Sequence, residues 1–317
     1  MALPDNERSR LDDAARAGWL YFVAGRTQDE IARLLKVSRA SAQRLVSLCL
    51  SERLITFRLE HPIAACMELA ARLTERFNLR TCEVVPTDPT SPVGVAGIAE
   101  RAANLLESTL RDEKPATIAI GTGRAMRAAV EQVRPMDRPN HRLVALVGNI
   151  SPDGSATFFD TVARLADLTK ARHYPMPLPL LMSSETEREE MLKIGPVKRV
   201  HSLAAKADLR LVGVGQMDKR AQVHVDGFIS REELLELTRL GAVGELTGWA
   251  FDARGQVLKA GTNRRLTSIR HPVPATALTV AAAVGPAKVP AIRAALNGRL
   301  INGLITDEAT ATALLAR

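Results

Sequence analysis

The sequence predicts an α/β protein in two parts: an N-terminal helix-turn-helix with a following wing, then a Rossmann-like parallel α/β domain. Three observations carry this. Between Gly25 and Leu48, GRTQDEIARLLKVSRASAQRLVSL, two short amphipathic patterns fold over a polar tripeptide. From Thr81 onward short apolar runs alternate with helix-period segments, and several of the runs close on glycine. The length of 317 residues exceeds what one small helical domain needs and leaves room for a second with ample core.

In chain order, Leu11 to Val23 reads as an apolar helix able to close a three-helix core. Thr27 then stands at an N-cap with Glu30 three residues on, a capping box that satisfies the first orphan amides, so a helix starts at Gln28. Ile31, Leu34 and Leu35 fall at the i, i+3, i+4 spacing of one inward stripe, and Lys36-Val37-Ser38 makes the turn, with Val37 as apolar plug and Ser38 as the next cap. In the second helix Leu45, Val46 and Leu48 supply the buried side. Arg39, Ser41, Ala42, Gln43 and Arg44 supply small and hydrogen-bonding groups suited to a major groove. Leu54 to Leu59 alternates like a strand and reads as the wing. From Arg26 to Arg58 there are seven basic against three acidic residues, a net +4 that attracts phosphates. A small helical bundle without DNA affinity is the plain alternative; the order of capping box, small turn and Arg-flanked Ser and Ala favours DNA, with Thr27, Gln28, Ser38, Arg39, Ser41, Gln43 and Arg44 as contacts.

Composition adds limits. The whole-chain charge of +8, from 43 cations and 35 anions, supports nucleic acid only weakly. Cys49, Cys66 and Cys82 are odd in number with no CxxC or His-rich neighbourhood, so they indicate buried thiols in a reducing compartment, with neither a disulfide framework nor a metal site. The first residues, MALPDNERSR, carry no apolar run and no window approaches the ~20 apolar residues of a bilayer span. The expectation is a cytoplasmic protein with no membrane partner and no cofactor.

His61-Pro62 marks the boundary, because the residue before proline is pushed out of helix; the domains are 1–60 and 61–317. Ile63 to Phe77 is amphipathic and helical. The α/β rhythm then runs through CEVVP, Val95 to Leu110, ATIAIGTG, Ala125 to Val133, RLVALVGN and Phe158 to Thr169. It returns in DLRLVGVG at Asp208 to Gly215 and LTVAAAVG at Leu278 to Gly285, with a helix from Pro286 to Leu296. In such sheets ligands lie beyond the carboxyl ends of the strands. Gly121-Thr122-Gly123-Arg124 follows a strand and opens a helix, where amides and dipole favour an anion and Arg124 adds a cation. It is neither GxGxxG nor a Walker loop, which argues against a dinucleotide or ATP, and a plain tight turn is the alternative. Asn149 and Gln216 end similar loops and can hydrogen-bond hydroxyls.

The C-terminal third makes a resemblance specific. GAVGELTGWAFDARG at Gly241 to Gly255 and AVGPAKVPAIRAALNGRLINGLITDEATATALL toward the end resemble the SorC/DeoR-type sugar-binding transcriptional regulators, and the likeness runs along nearly the whole chain. It implies an effector domain similar to the glucosamine-phosphate deaminase and ribose-phosphate isomerase fold, binding a sugar, polyol or sugar phosphate and controlling operator DNA binding, usually within a dimer or tetramer. By the same resemblance Gly121, Thr122 and Gly123 would hold a phosphate, Glu245 hydroxyls, and Lys288 the phosphate or another oxygen. Many members have a threonine shortly after the glycine loop; here stand Ala125 and Met126, so an unphosphorylated sugar or polyol stays open. Trp249 suits stacking on a sugar face or core packing, and Asp226 suits hydroxyl pairing or capping the turn before Ser230. His173 and His224 lack any nucleophile pattern and read as structural or exposed, and Asp307-Glu308 starts the last helix. The competing reading is a sugar-phosphate isomerase or deaminase with Glu245 or Asp252 as base and Lys288 stabilising an enediolate; such an enzyme has no use for the Thr27 to Leu48 segment.

Overall fold

The computed structural model describes residues 5–52, 54–55, 63–91, 93–148, 150 and 160–316, and the chain divides into two units, Met1–His61 and Pro62–Arg317. The first unit contains α1 (Asp5–Gly18), running into a π-helical turn over Trp19–Val23, then α2 (Gln28–Leu35) and α3 (Arg39–Ser51). The capping box forms as the sequence requires: the Thr27 hydroxyl accepts from the Glu30 amide at 3.3 Å, and a Glu30 carboxylate oxygen accepts from the Thr27 amide at 2.8 Å. Lys36 takes the left-handed conformation, φ 57°, which turns the chain sharply enough for Ser38 to cap α3 by accepting from the Ser41 amide at 3.1 Å. The core is Ala17, Ile31, Ala32, Ala42 and Val46, with Leu35, Val37 and Leu45 packed against it. Two assignments from the sequence, one inward and one outward, are corrected. Leu34 is 59% exposed, with Ala32 in its place, and Ala42, read as a groove contact, is buried. The reason is close approach: small residues let the helices meet, and at Gly18 an added Cβ would lie 2.1 Å from Cys49 Sγ on α3. The wing expected over Leu54 to Leu59 falls mostly outside the described residues, as do Arg53, Arg58 and the His61-Pro62 boundary.

The second unit proceeds through α4 (Ala64–Phe77), β1 (Thr81–Val85), α5 (Ala96–Arg111), β2 (Thr117–Ile120), α6 (Arg124–Gln132), β3 (Arg142–Ala145), α7 (Thr161–Thr169), β4 (Arg172–Tyr174), α8 (Glu185–Met191), α9 (Gly195–Ala205), β5 (Leu209–Val212), β6 (Gly215–Gln216), α10 (Gln222–Val225), α11 (Arg231–Arg239), β7 (Ala242–Leu246), β8 (Trp249–Asp252), β9 (Leu278–Ala282), α12 (Val289–Asn297), β10 (Gly303–Asp307) and α13 (Glu308–Leu315). Seven strands form one sheet in the order β1-β10-β9-β5-β2-β3-β4, and every pairing in it is parallel. Parallel strands are buried on both faces by their crossover helices. Ile118 and Ile120 accordingly join Leu106, Met126 and Leu165 of α5, α6 and α7. Ala119 and Val144 point the other way, to the core shared with Val197, Ile292 and Leu314 of α9, α12 and α13.

A second sheet, β6-β7-β8, is antiparallel. Its strands, like β4 and β10, carry no clear strand signal in the sequence. The helix expected from Pro286 opens instead as a 3-10 turn, Pro286–Lys288, before α12. Asp307 starts the last helix as read, accepting from the Thr310 amide at 3.0 Å. Cys49, Cys66 and Cys82 are all free thiols.

Replacing Thr27 by alanine should cost α2 about 0.5–2 kcal/mol, with serine at that position close to neutral. Native-state hydrogen exchange of the α2 amides in the full chain measures it.

Candidate functional site

β2, β5 and β9 are neighbours in the sheet, so the loops leaving their carboxyl ends converge. β2 continues to β3 and β4 on one side and β9 lies on the other, which makes the β2/β5 edge the place where strand order reverses and a crevice must open. A cavity of about 440 Å³ lies there, within the range of small-molecule sites. Gly121 to Ala125 line it after β2, Gly213 to Gln216 after β5, and Ala282 to Lys288 at the end of β9. Two of these loops turn on glycines that only glycine adopts easily: Gly123 at φ 105°, ψ 175° caps α6, and Gly285 at φ 109°, ψ 147° opens the turn into α12. The start of α6 therefore faces the cavity and favours an anion; the turn after β9 offers less, since Pro286 has no amide hydrogen and the Gly285 amide donates to Thr310 Oγ1 at 3.0 Å.

The opposite wall comes from the antiparallel sheet and α10. Glu245 on β7 lines the cavity, and its Oε2 accepts from the Gly248 amide at 2.7 Å. Room for this carboxylate comes from Gly215 on the paired strand, where a Cβ would lie 2.1 Å from Glu245 Oε1. Burial raises the Glu245 pKa above its ordinary 4.5, against the lowering effects of the Gly248 bond and Lys288. Lys288 is shifted below its ordinary range by burial, opposed by the attraction of Glu245 and aided by the repulsion of Arg124. A carboxylate and an ammonium are thus both held where charge is poorly solvated.

The cavity brings together most of the expected effector residues: Gly121, Thr122, Gly123, Arg124, Gln216, Asp226, Glu245 and Lys288 all line it. Asp226 is partly engaged, accepting from Gln222 Nε2 at 2.6 Å, and the Gln216 amide reaches the Arg220 carbonyl at 3.5 Å. One expectation changes, one open alternative closes and one residue lies outside the described part. Asp252 does not line the cavity; its Oδ1 accepts from the Arg254 and Gln256 amides at 2.9 and 2.8 Å and closes a tight turn, so it is placed neither for hydroxyls nor as a base. Trp249 is core, 6% exposed, with its indole N–H directed to the Ser268 carbonyl at 3.3 Å; the aromatic ring at the cavity is Phe228. Asn149 lies outside the described residues. Sequence reasoning passed over Gln222, Phe228 and Thr247, although the polar-apolar mixture of Gln222 to Phe228 beside Asp226 was an available signal. His224 is structural, its Nδ1 3.0 Å from the Ile229 carbonyl, and His173 is exposed. Among the described residues no group of His, Cys, Asp and Glu is arranged to hold a metal ion.

In the N-terminal unit Thr27 and Ser38 are committed to caps, while Gln43 and Arg44 are exposed on α3. Arg39 is exposed and pairs with Asp29 at 3.4 Å; Arg44 Nη2 donates to Ser41 Oγ at 3.3 Å. Both pairs are solvent-exposed and cost little to exchange for another partner. Among the described residues no helix is long and apolar enough to cross a membrane.

Residues 61–316 match Sugar-bind, a sugar-binding domain family. The chain is 33% identical to the erythritol catabolism regulatory protein EryD of Brucella abortus (strain 2308), over 96% of both chains. It is 30% identical to the transcriptional regulator LsrR of Klebsiella pneumoniae, over 95% of this chain and 92% of that one. The fold matches the full-length sorbitol operon regulator SorC from Klebsiella pneumoniae with a TM-score of 0.70, at 22% identity, over 97% of this chain and 100% of that one.

Because Glu245 titrates above its ordinary value, its ionised form is less favourable folded than unfolded, so the native state gains stability below the usual carboxylate range and loses it as pH rises through the elevated pKa. Thermal melts of the ligand-free Glu245→Gln protein should match the parent near pH 4 and exceed it once the pH has risen through the elevated Glu245 value.

Proposed function

Since the chain belongs to the SorC/DeoR-type family of sugar-binding transcriptional regulators, we propose that its second unit binds a small polyhydroxylated effector, a sugar, polyol or their phosphate, and that the effector sets operator affinity through the first unit. The observation that carries this is the polarity of one cavity: the start of α6 with Lys288 and Arg124 against the carboxylates Glu245 and Asp226 with Gln216 and Gln222. Carboxylates and amides accept and donate to hydroxyls, while the cationic end suits a phosphate. Phe228 offers an apolar face to carbon-bound hydrogens. The name of the Brucella relative puts erythritol first among compounds to try, with its phosphate beside it. We read α3 as the recognition helix, with Arg39, Gln43 and Arg44 reaching the groove, and the assembly as at least a dimer, because paired half-sites need paired recognition helices. The protein works as a switch and not as a catalyst.

A thermal-shift screen over sugars, polyols and their phosphates should give a stabilising compound, and operator binding measured with and without it should differ. An effector without differential affinity for the two DNA-binding states shifts nothing. Glu245→Gln should weaken all such compounds, and Lys288→Ala the phosphorylated ones, by roughly 10- to 100-fold, with operator binding retained. Enzyme-like turnover of the compound overturns the reading in favour of an isomerase or deaminase. Separately, Arg39→Ala or Arg44→Ala should cost about 1–3 kcal/mol of operator affinity in a salt-controlled titration and leave the effector shift intact. Light scattering should show a species of at least twice the chain mass.

A further inference from the structure

The turn joining β7 to β8 is built against the preferences of its residues. Thr247 sits at φ 51° and Gly248 at φ 90°, the two positive values that a two-residue hairpin turn demands. Asparagine, aspartate or glycine meets that demand cheaply, whereas a β-branched residue with positive φ is an outlier. Gly248 is fixed by space as well, since a Cβ there would lie 2.8 Å from a Leu266 methyl.

What the threonine adds is a hydroxyl, and both of its contacts are buried. Thr247 Oγ1 donates to the Leu246 carbonyl at 2.7 Å, which uses its single proton. Its second contact, 3.2 Å to His271 Nε2, therefore has the imidazole as donor, with the proton on Nε2. Among the described residues this is the one hydrogen bond the His271 ring makes, because Nδ1 has no partner. The ring is held neutral: burial and, secondarily, the positive charge of Arg210 push its pKa down to about 4. Arg210 itself is fully buried and anchored by Nη2 to the Ala204 and Ala205 carbonyls at 3.0 and 2.9 Å. The negative end of α9 thus supplies its counter-charge.

The next residue after Thr247 is Gly248, whose amide holds Glu245. We propose that His271 is a positioning residue for effector recognition: by donating to Thr247 it holds the Leu246–Trp249 turn in the form that aims the Gly248 N–H at the Glu245 carboxylate. His271 is absent from the cavity lining, whereas Thr247, Gly248 and Glu245 all belong to it. The histidine acts through the turn. This inference rests on Glu245 as an effector contact.

The test uses the full chain and begins without ligand. Hydrogen exchange of the Gly248 amide should quicken about tenfold or more in His271→Leu, which lacks the donor, and in Thr247→Val, which keeps the branched shape but lacks the hydroxyl. His271→Gln, whose side-chain amide can donate, should restore protection. Amides of β2 should be unaffected in all three. Calorimetric titration with erythritol and erythritol phosphate should follow the same order. In the Glu245→Gln background His271→Leu should add little further loss, because the two residues act in series. Unchanged Gly248 exchange in His271→Leu and Thr247→Val, or His271→Gln behaving like His271→Leu, overturns the positioning role whatever the cavity binds. Faster exchange with unaltered probe affinity shows instead that Glu245 does not touch the effector.

Discussion

In the middle of the large sheet β5 is hydrogen-bonded to β2 on one side and β9 on the other, in parallel on both. This constraint determines where everything else can go. Parallel neighbours cannot be joined by hairpins, so each connection crosses a face of the sheet as a helix and returns. The strands then end together at one edge, and the turns that follow β2 and β9 line the gap. The cavity is a consequence of how β5 is paired before any side chain is considered. The antiparallel sheet then closes it from the other side, since β6 leaves β5 after only Gly213 and Val214.

Against that frame the site chemistry concerns how charge is kept where water is scarce. Glu245 has one amide donor and a distant cation; Lys288 has attraction from Glu245 and repulsion from Arg124. Neither is fully compensated, so both are left with unspent interaction energy that a hydroxylated or anionic ligand can take up. Arg210 is the contrasting case. Its Nη2 is held by a helix end while Nε and Nη1 have no partner among the described residues, and because it lies outside the cavity lining it belongs to the scaffold.

Much of this organisation was legible in the residues, and the parts that were not share a cause. Capping at Thr27, Ser38 and Asp307 is local chemistry over three or four residues, and the structure shows all three. β2, β5 and β9 are apolar runs closed by glycine and were readable for the same reason. β10, GLITD, is just as central, yet a five-residue run that leads straight into the helix cap at Asp307 has no period of its own to separate strand from helix. β7 and β8 are short, carry Gly244 and Glu245, and meet at a Thr-Gly turn that is not a standard hairpin signal. Leu34 and Ala42 were misassigned because periodicity places a residue on a face without saying how closely the neighbouring helix approaches; Gly18 against Cys49 sets that distance. Trp249 lies close to Glu245 in sequence but not at the cavity, because it pairs with Leu246 and alternate residues of a strand face opposite ways; Asp252 is at the far end of β8, opposite Ala242 past the bulge, where it closes its own turn.

The contact between Gly215 and Glu245 has a bearing on how related chains can diverge. The carboxylate occupies the volume that any larger residue at 215 would need, so the two positions form a single unit of inheritance. A lineage cannot enlarge residue 215 while glutamate stays in its present pose, and a lineage that gives up the glutamate is released from glycine. Among relatives the two sites should change together.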